Sequence, residues 1–181
     1  MPEPRRKCSV LVVDDEPNIV EVVSLRALEV VDTVYPAHDG QEALEIAATR
    51  AIDVAILDVK MPVLAGIDCL KQLRVIHPDI VAVFLTGYGD KDTIVEAMRL
   101  GAYDFLSKPI SNETLQATIL RCCEHSDLLK QRRKVLEALL YEYTKLTPKS
   151  FEDLDDASKA SVLRQVFSVM EMKLTNRKVH T

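Results

Sequence analysis

The 181-residue chain has no tryptophan, only five glycines and an aromatic content of 5%. So little glycine argues against a collagen-like or Gly-rich low-complexity chain. No uncharged apolar run approaches the ~20 residues that a membrane-spanning helix requires. Arg5, Arg6 and Lys7 do precede an apolar run, Val10 to Val13, but Asp14 and Asp15 end it. That run is too short for the apolar stretch of a secretory signal, and the protein is expected in the cytoplasm. The four cysteines, Cys8, Cys69, Cys122 and Cys123, form no C-x-x-C pair. A zinc knuckle or thioredoxin-type motif is therefore disfavoured. Because disulfides are rare in reducing compartments, Cys122 and Cys123 are expected to be packing residues on a helix.

What is present is globular: 48% hydrophobic, 28% charged, net charge −5. The charge is uneven. Residues 1–112 carry 11 basic and 18 acidic side chains, whereas 113–147 and 148–181 each carry 6 basic and 5 acidic. An acidic front and a near-neutral tail offer no basic stripe for nucleic acid.

Short apolar runs alternate with amphipathic ones over the first two-thirds. Strands are expected at Ser9–Val13, Thr33–Ala37, Asp53–Leu57, Ile80–Leu85 and Ala102–Leu106. Continuous apolar strands of this kind are buried on both faces. Helices are expected from Pro17 to Leu28, from Asp39–Gly40 onward, from Gly66 to Ile76 where Pro78 stops it, and from Lys91 to Leu100 with Gly101 as its C-cap. Ser111 is placed to cap a last helix. Strictly alternating strands and helices give a doubly wound α/β fold with a five-stranded parallel sheet.

Beyond Pro109 the pattern changes, with no Pro or Gly until Pro148. Leu115, Cys122, Leu129, Leu136 and Tyr143 recur every seven residues, joined later by Leu139 and Leu146. This spacing predicts one helix from Asn112 to about Thr144. A seven-residue repeat favours a coiled-coil seam, although periodicity does not name the partner, and folding back on the same chain remains an alternative. After Pro148 the sequence predicts a turn with a short helical piece over Ser150–Asp155, then an amphipathic helix over Ala157–Leu174. Residues 1–125 are thus expected to form the α/β domain, and 126–181 a helical extension for dimerisation or output.

In an open α/β sheet, ligands bind beyond the carboxyl ends of the strands. The first expected strand ends in Asp14–Asp15–Glu16, the third in Asp58, the fourth in Thr86 and the fifth in Ser107–Lys108–Pro109. Clustered carboxylates repel one another unless a cation joins them. Few protein ligands are available, so Mg²⁺ is favoured over Ca²⁺. Lys108 and Thr86 suit phosphoryl oxygens. A carboxylate nucleophile, a metal and two phosphate binders describe aspartyl phosphorylation.

The segments Val12–Pro17 (VVDDEP), Leu57–Pro62 (LDVKMP), Leu85–Asp90 (LTGYGD) and Gly101–Pro109 (GAYDFLSKP) resemble the receiver domains of two-component response regulators, and most closely those of the nitrogen-regulator type. The resemblance covers residues 8 to 125. It implies a flavodoxin-like strand order of 2-1-3-4-5 and a chain that is not an enzyme beyond its own phosphorylation and dephosphorylation. Asp58 would accept the phosphoryl group from a histidine kinase or phosphotransfer protein. Asp15, Asp58 and the backbone carbonyl of Lys60 would ligate Mg²⁺, with Asp14 acting through water. Thr86 and Lys108 would bind phosphoryl oxygens, and Thr86 with Phe105 would be the switch pair. Ala65 departs from the family, which often has Asp there. No helix-turn-helix or Gly-x-x-x-x-Gly-Lys follows Pro109, so either the output is small and helical or the chain is a receiver and linker of something longer; the expected partners are a second copy through the long helix and an unidentified downstream protein.

Two other classes fit the sequence less well. A Mg²⁺-dependent phosphohydrolase with an aspartate nucleophile wants a carboxylate two residues after that aspartate, but Lys60 occupies that place. A DNA-binding regulator would read through Arg164, Lys173, Arg177 and Lys178, yet the tail's charge is balanced.

Overall fold

The computed structural model describes residues 5–87 and 91–178. Five parallel strands are β1 (Arg6–Val13), β2 (Val31–Ala37), β3 (Val54–Asp58), β4 (Val81–Thr86) and β5 (Asp104–Ser107). They lie in the order β2-β1-β3-β4-β5. The intervening helices are α1 (Pro17–Leu28), α2 (Gly40–Thr49), α3 (Gly66–Ile76) and α4 (Lys91–Arg99), followed by α5 (Asn112–Thr144), α6 (Pro148–Glu152) and α7 (Asp156–Lys178). The fold class and strand order match the sequence expectation.

Local chemistry explains the helix starts. Pro17 stands in the first turn of α1, where its missing N–H costs nothing. Asp39 caps α2 by accepting from Glu42 N at 2.8 Å, and Glu42 Oε2 accepts from His38 N at 2.7 Å. Ser111 Oγ accepts from Thr114 N at 3.2 Å, capping α5. Pro148 does more than interrupt: it opens α6, behind a Thr147 cap whose side chain accepts from Ser150 N.

Strand limits shift for reasons of main-chain bonding. β1 begins at Arg6, earlier than its apolar run, because Arg6 N donates to Val30 O at 2.8 Å. β5 begins at Asp104 because the N–H of Ala102 is spent on Ala97 O at the end of α4. All residues of β3 and β4 are buried. α3 lays Ile67, Cys69, Leu70 and Leu73 into the same core as Leu57 and Phe84. This packing holds the strand ends, and therefore the side chains just beyond them, in fixed register.

One expectation is corrected. Cys122 and Cys123 are not equivalent packing residues: Cys123 is joined to Cys8 by a disulfide, with Cα atoms 6.0 Å apart, while Cys122 is a buried free thiol. Adjacent helical residues point about 100° apart, so the two side chains meet different surroundings. Arg6 reinforces the same junction through ion pairs at 3.2 Å to Glu124 and to Asp127.

The chain divides into two compact units, 1–128 and 129–181. In the second unit, Leu140 and Val166 are buried. Of the residues at the seven-residue spacing, Leu129, Leu139, Tyr143 and Leu146 are half-buried and Leu136 is exposed. Val135 and Tyr141, also on the helix, are more than half exposed. For α7, Val169, Met170 and Leu174 lie outside the residues whose side chains are described.

Candidate functional site

The strand order reverses between β1 and β3, so their carboxyl ends flank a crevice. Val13 pairs with Leu57 across it, which sets Asp14 beside Asp58. Lys108 reaches in from just beyond the end of β5 (Asp104–Ser107). Its Nζ stands 2.6 Å from Asp14 Oδ2, 2.7 Å from Asp58 Oδ1 and 3.6 Å from Glu16 Oε1. Asp14 is wholly buried and Asp58 is 7% exposed.

Backbone donors fix the two carboxylates. Glu16 N donates to Asp14 Oδ1 at 3.0 Å, and Lys60 N donates to Asp58 Oδ2 at 2.7 Å. Burial pushes the Asp58 carboxyl above its usual value. The hydrogen bond and charge of Lys108 and the Lys60 N–H pull it back, while the Asp14 charge adds to the push. Burial also works against the Lys108 ammonium, but its contacts with Asp14 and Asp58 outweigh it and hold that group above its ordinary value. The ammonium is the positive charge that lets two carboxylates share a buried crevice.

A cavity of ≈ 360 Å³ opens over this pair, lined by Asp15, Glu16, Asp58, Lys60, Gly87 and Lys108 among others. Among the described residues no three His, Cys, Asp or Glu side chains converge as a ready-made metal cage. Mg²⁺ does not need one, since it keeps several waters and takes only one or two carboxylates. The donors are oxygens throughout. Asp14 Oδ2 is buried and receives no aligned hydrogen bond despite its ion pair with Lys108, so it keeps acceptor capacity for a cation or its water. Asp14, Asp15, Asp58 and the Lys60 carbonyl are the residues that could hold the ion.

Thr86 and Phe105 stand differently. Thr86 ends β4 beside Ser107 of β5 and is 3% exposed. Its hydroxyl donates to Gly87 O at 2.7 Å, a local bond and not one to the carboxylates. Phe105 is half-buried and stacks on Phe84, with ring centroids 5.6 Å apart. Tyr88, Gly89 and Asp90, the rest of the fourth strand's motif, lie outside the described residues.

Two residues contribute beyond the roles expected of them from the sequence. Glu16 joins the Lys108 ammonium; its signal was its place next to the Asp14–Asp15 pair. Gly66 opens α3 and does more than start a helix. A Cβ there would collide with the Asp58 carbonyl oxygen and come within 3.2 Å of Phe84. The available signal was a glycine opening a helix that has no side-chain cap.

Residues 10–120 match the model of the response regulator receiver domain. The chain belongs to this family. The receiver is 33% identical over 131 residues to the regulatory protein AtoC of Escherichia coli, covering 72% of this chain and 28% of that one. It is 35% identical over 141 residues to the tetrathionate response regulatory protein TtrR of Salmonella typhimurium, covering 78% of this chain and 66% of that one. Among solved structures it resembles the receiver domain of NtrX from Brucella abortus, with a TM-score of 0.60 and 32% identity over 64% of this chain and 98% of that one. AtoC and NtrX are regulators of the nitrogen-regulator type, the resemblance read from the sequence motifs. The chain therefore spans about a quarter of AtoC's length and about two-thirds of TtrR's. It carries a receiver domain of two-component signalling, a module that is typically a phospho-accepting switch. No helix among the described residues is long and apolar enough to cross a membrane.

Proposed function

We propose that this receiver is a cytoplasmic switch that accepts a phosphoryl group from a histidine kinase on Asp58 and passes the change to a protein partner through residues 126–181. The observation that carries the reading is the Lys108 ammonium held within 2.7 Å of Asp58 at the mouth of the crevice. An Asp58 carboxylate oxygen attacks the phosphorus of the kinase's phosphohistidine, the P–N bond breaks and the imidazole leaves with the electron pair, while Lys108 offsets the negative charge of the transferred group. Asp15, Asp58 and the Lys60 carbonyl, with Asp14 acting through water, would hold Mg²⁺, which would supply further charge neutralisation. Thr86 would give up its bond to Gly87 O and turn to a phosphoryl oxygen, opening space toward which Phe105 moves.

The test is acetyl phosphate with Mg²⁺. The expected result is a single Mg²⁺-dependent phosphoryl group, removed by alkaline hydrolysis and mapped to Asp58. A label on serine, threonine or another aspartate would overturn the assignment. For the metal, Asp15→Ala should weaken Mg²⁺ binding by about tenfold or more, the scale of losing one charged interaction worth ~1.5–3 kcal/mol. Titration of the intrinsic tyrosine fluorescence with Mg²⁺ checks this, and unchanged affinity would remove Asp15 from the ligand set.

For assembly, we propose a homodimer through α5. Val135, Leu136 and Tyr141 keep apolar surface uncovered in the single chain. Each leucine-sized side chain fully buried contributes ~1.5–3 kcal/mol, against association costs of ~4–15 kcal/mol, so a weak to moderate dimer is expected. The full chain should show concentration-dependent dimerisation by light scattering, and a chain ending at Leu128 should be monomeric. A full chain that stays monomeric at high concentration, with and without beryllofluoride, would leave only packing within the chain.

A further inference from the structure

The Cys8–Cys123 pair lies away from the phosphoacceptor crevice, at the opposite end of β1 from Asp14. It joins the first strand to the first half of α5, across 115 residues of sequence. The Cα separation of 6.0 Å lies within the range that a disulfide spans without backbone movement. The two side chains are held in place by more than their bond. Cys8 sits on a strand whose neighbours Val10 to Val13 are wholly buried, and Cys123 lies on the helix face that buries Leu115, Ile119 and Cys122. When the pair is reduced, the junction retains this packing and the Arg6 ion pairs to Glu124 and Asp127. Those ion pairs have side chains 36% to 60% exposed, so they are individually weak and screened by salt.

We propose that Cys8 and Cys123 form a reversible thiol–disulfide site that pins the first half of α5 to β1 when the surrounding thiol pool becomes oxidising. In reducing compartments, protein disulfides are mostly transient or sensory. The other two cysteines are unsuited to the role. Cys69 and Cys122 are buried free thiols, and neither is paired with another cysteine. Cys8 is the more exposed member of the pair, at 5% against 1% for Cys123.

The oxidant is a low-molecular-weight disulfide. During local opening of the strand end, the Cys8 thiolate attacks one sulfur of the small disulfide, forming a mixed disulfide and releasing one small thiol. The Cys123 thiolate then attacks the Cys8 sulfur and releases the second. One external S–S bond is broken and one internal S–S bond formed. The electron pair passes from the protein dithiol to the carrier, and the two cysteine protons end on the two released thiols. The consequence follows from position. Cys123 lies just before the end of the first unit at Leu128, so the bond sets how firmly the receiver holds α5 where that helix leaves it.

The experiment uses the full-length protein, first reduced, then incubated with oxidised glutathione, acid-quenched, denatured and alkylated. The expected result is two alkylated cysteines, Cys69 and Cys122, and a peptide linking Cys8 to Cys123. Reduced glutathione should return all four thiols without denaturant. Four free thiols after oxidation, glutathione adducts without the internal link, or a link that reduced glutathione does not open would each overturn the proposal. Hydrogen exchange then reads the pinning: amides of residues 6–10 and 119–127 should exchange several-fold more slowly in the oxidised wild type. Equal protection in the two states would overturn it. Cys8→Ser, and independently Cys123→Ser, should abolish that difference. The comparison within wild type stands even if either variant fails to fold, and acetyl phosphate labelling reports separately on the phosphoacceptor.

Discussion

Asp58→Asn will reduce phosphoryl labelling by acetyl phosphate to background while leaving the chain folded. The loss is complete in kind because the amide is no longer a carboxylate nucleophile. Asp14 is wholly buried and its Oδ2 faces Lys108, so a phosphodonor in the cavity does not reach it. The fold survives because the substitution conserves shape. The Asn carbonyl oxygen can still accept from Lys60 N, and Lys108 keeps Asp14 as its counter-ion. Removing one of two adjacent carboxylates also removes a repulsion, so Tm should be unchanged or slightly higher. Labelling with radioactive acetyl phosphate, read beside a thermal melt, checks both halves. Persistent Mg²⁺-dependent labelling of a folded Asp58→Asn protein would show that the nucleophile lies elsewhere.

The strand ends were legible because buried parallel strands are read directly as apolar runs, and because the polar residue that stops each run falls at the sheet's carboxyl edge. Asp14, Asp58, Thr86 and Lys108 all stood at such stops. The connection among them was not legible. That Lys108 bridges Asp14 and Asp58, or that Thr86 bonds Gly87 O, depends on χ angles and strand register, which sequence spacing does not encode. The pairing of Cys8 with Cys123 was invisible for a related reason. Residues 115 apart meet only because α5 packs beside β1, and the adjacency of Cys122 and Cys123 drew attention to the wrong pair. On α5 the seven-residue spacing located an apolar stripe, but Leu140, outside that stripe, is the residue the second unit buries. Periodicity reports that a helix has a face; which neighbour covers it is decided by tertiary packing.

Gly66→Ala will lower the stability of the receiver by about 3 kcal/mol, the upper part of the range for forced overpacking, and will impair phosphorylation of the fraction that remains folded. The reason is close approach and not backbone conformation. Gly66 N donates to Val59 O at 3.2 Å, so α3 begins directly against the loop that follows Asp58. A methyl group at Gly66 is driven into the Asp58 carbonyl oxygen, and Phe84 on its other side is wholly buried and has no room to yield. Either α3 lifts from the sheet, uncovering Leu70 and Leu73, or the Asp58 backbone moves and carries its carboxylate away from Lys108. For a domain of this size each kcal/mol corresponds to about 3–4 °C, so Tm should fall by about 10 °C. Two other glycines separate the causes. Gly101 adopts φ +77° with only the Arg74 side chain nearby, so Gly101→Ala should cost about 1 kcal/mol through backbone strain alone, without affecting labelling. Gly87 borders the cavity, but a Cβ there meets nothing within 4 Å, so Gly87→Ala should melt like the wild type. If Gly66→Ala melts no lower than Gly101→Ala and labels at the wild-type rate, the close contact between α3 and the phosphoacceptor strand is not what positions Asp58.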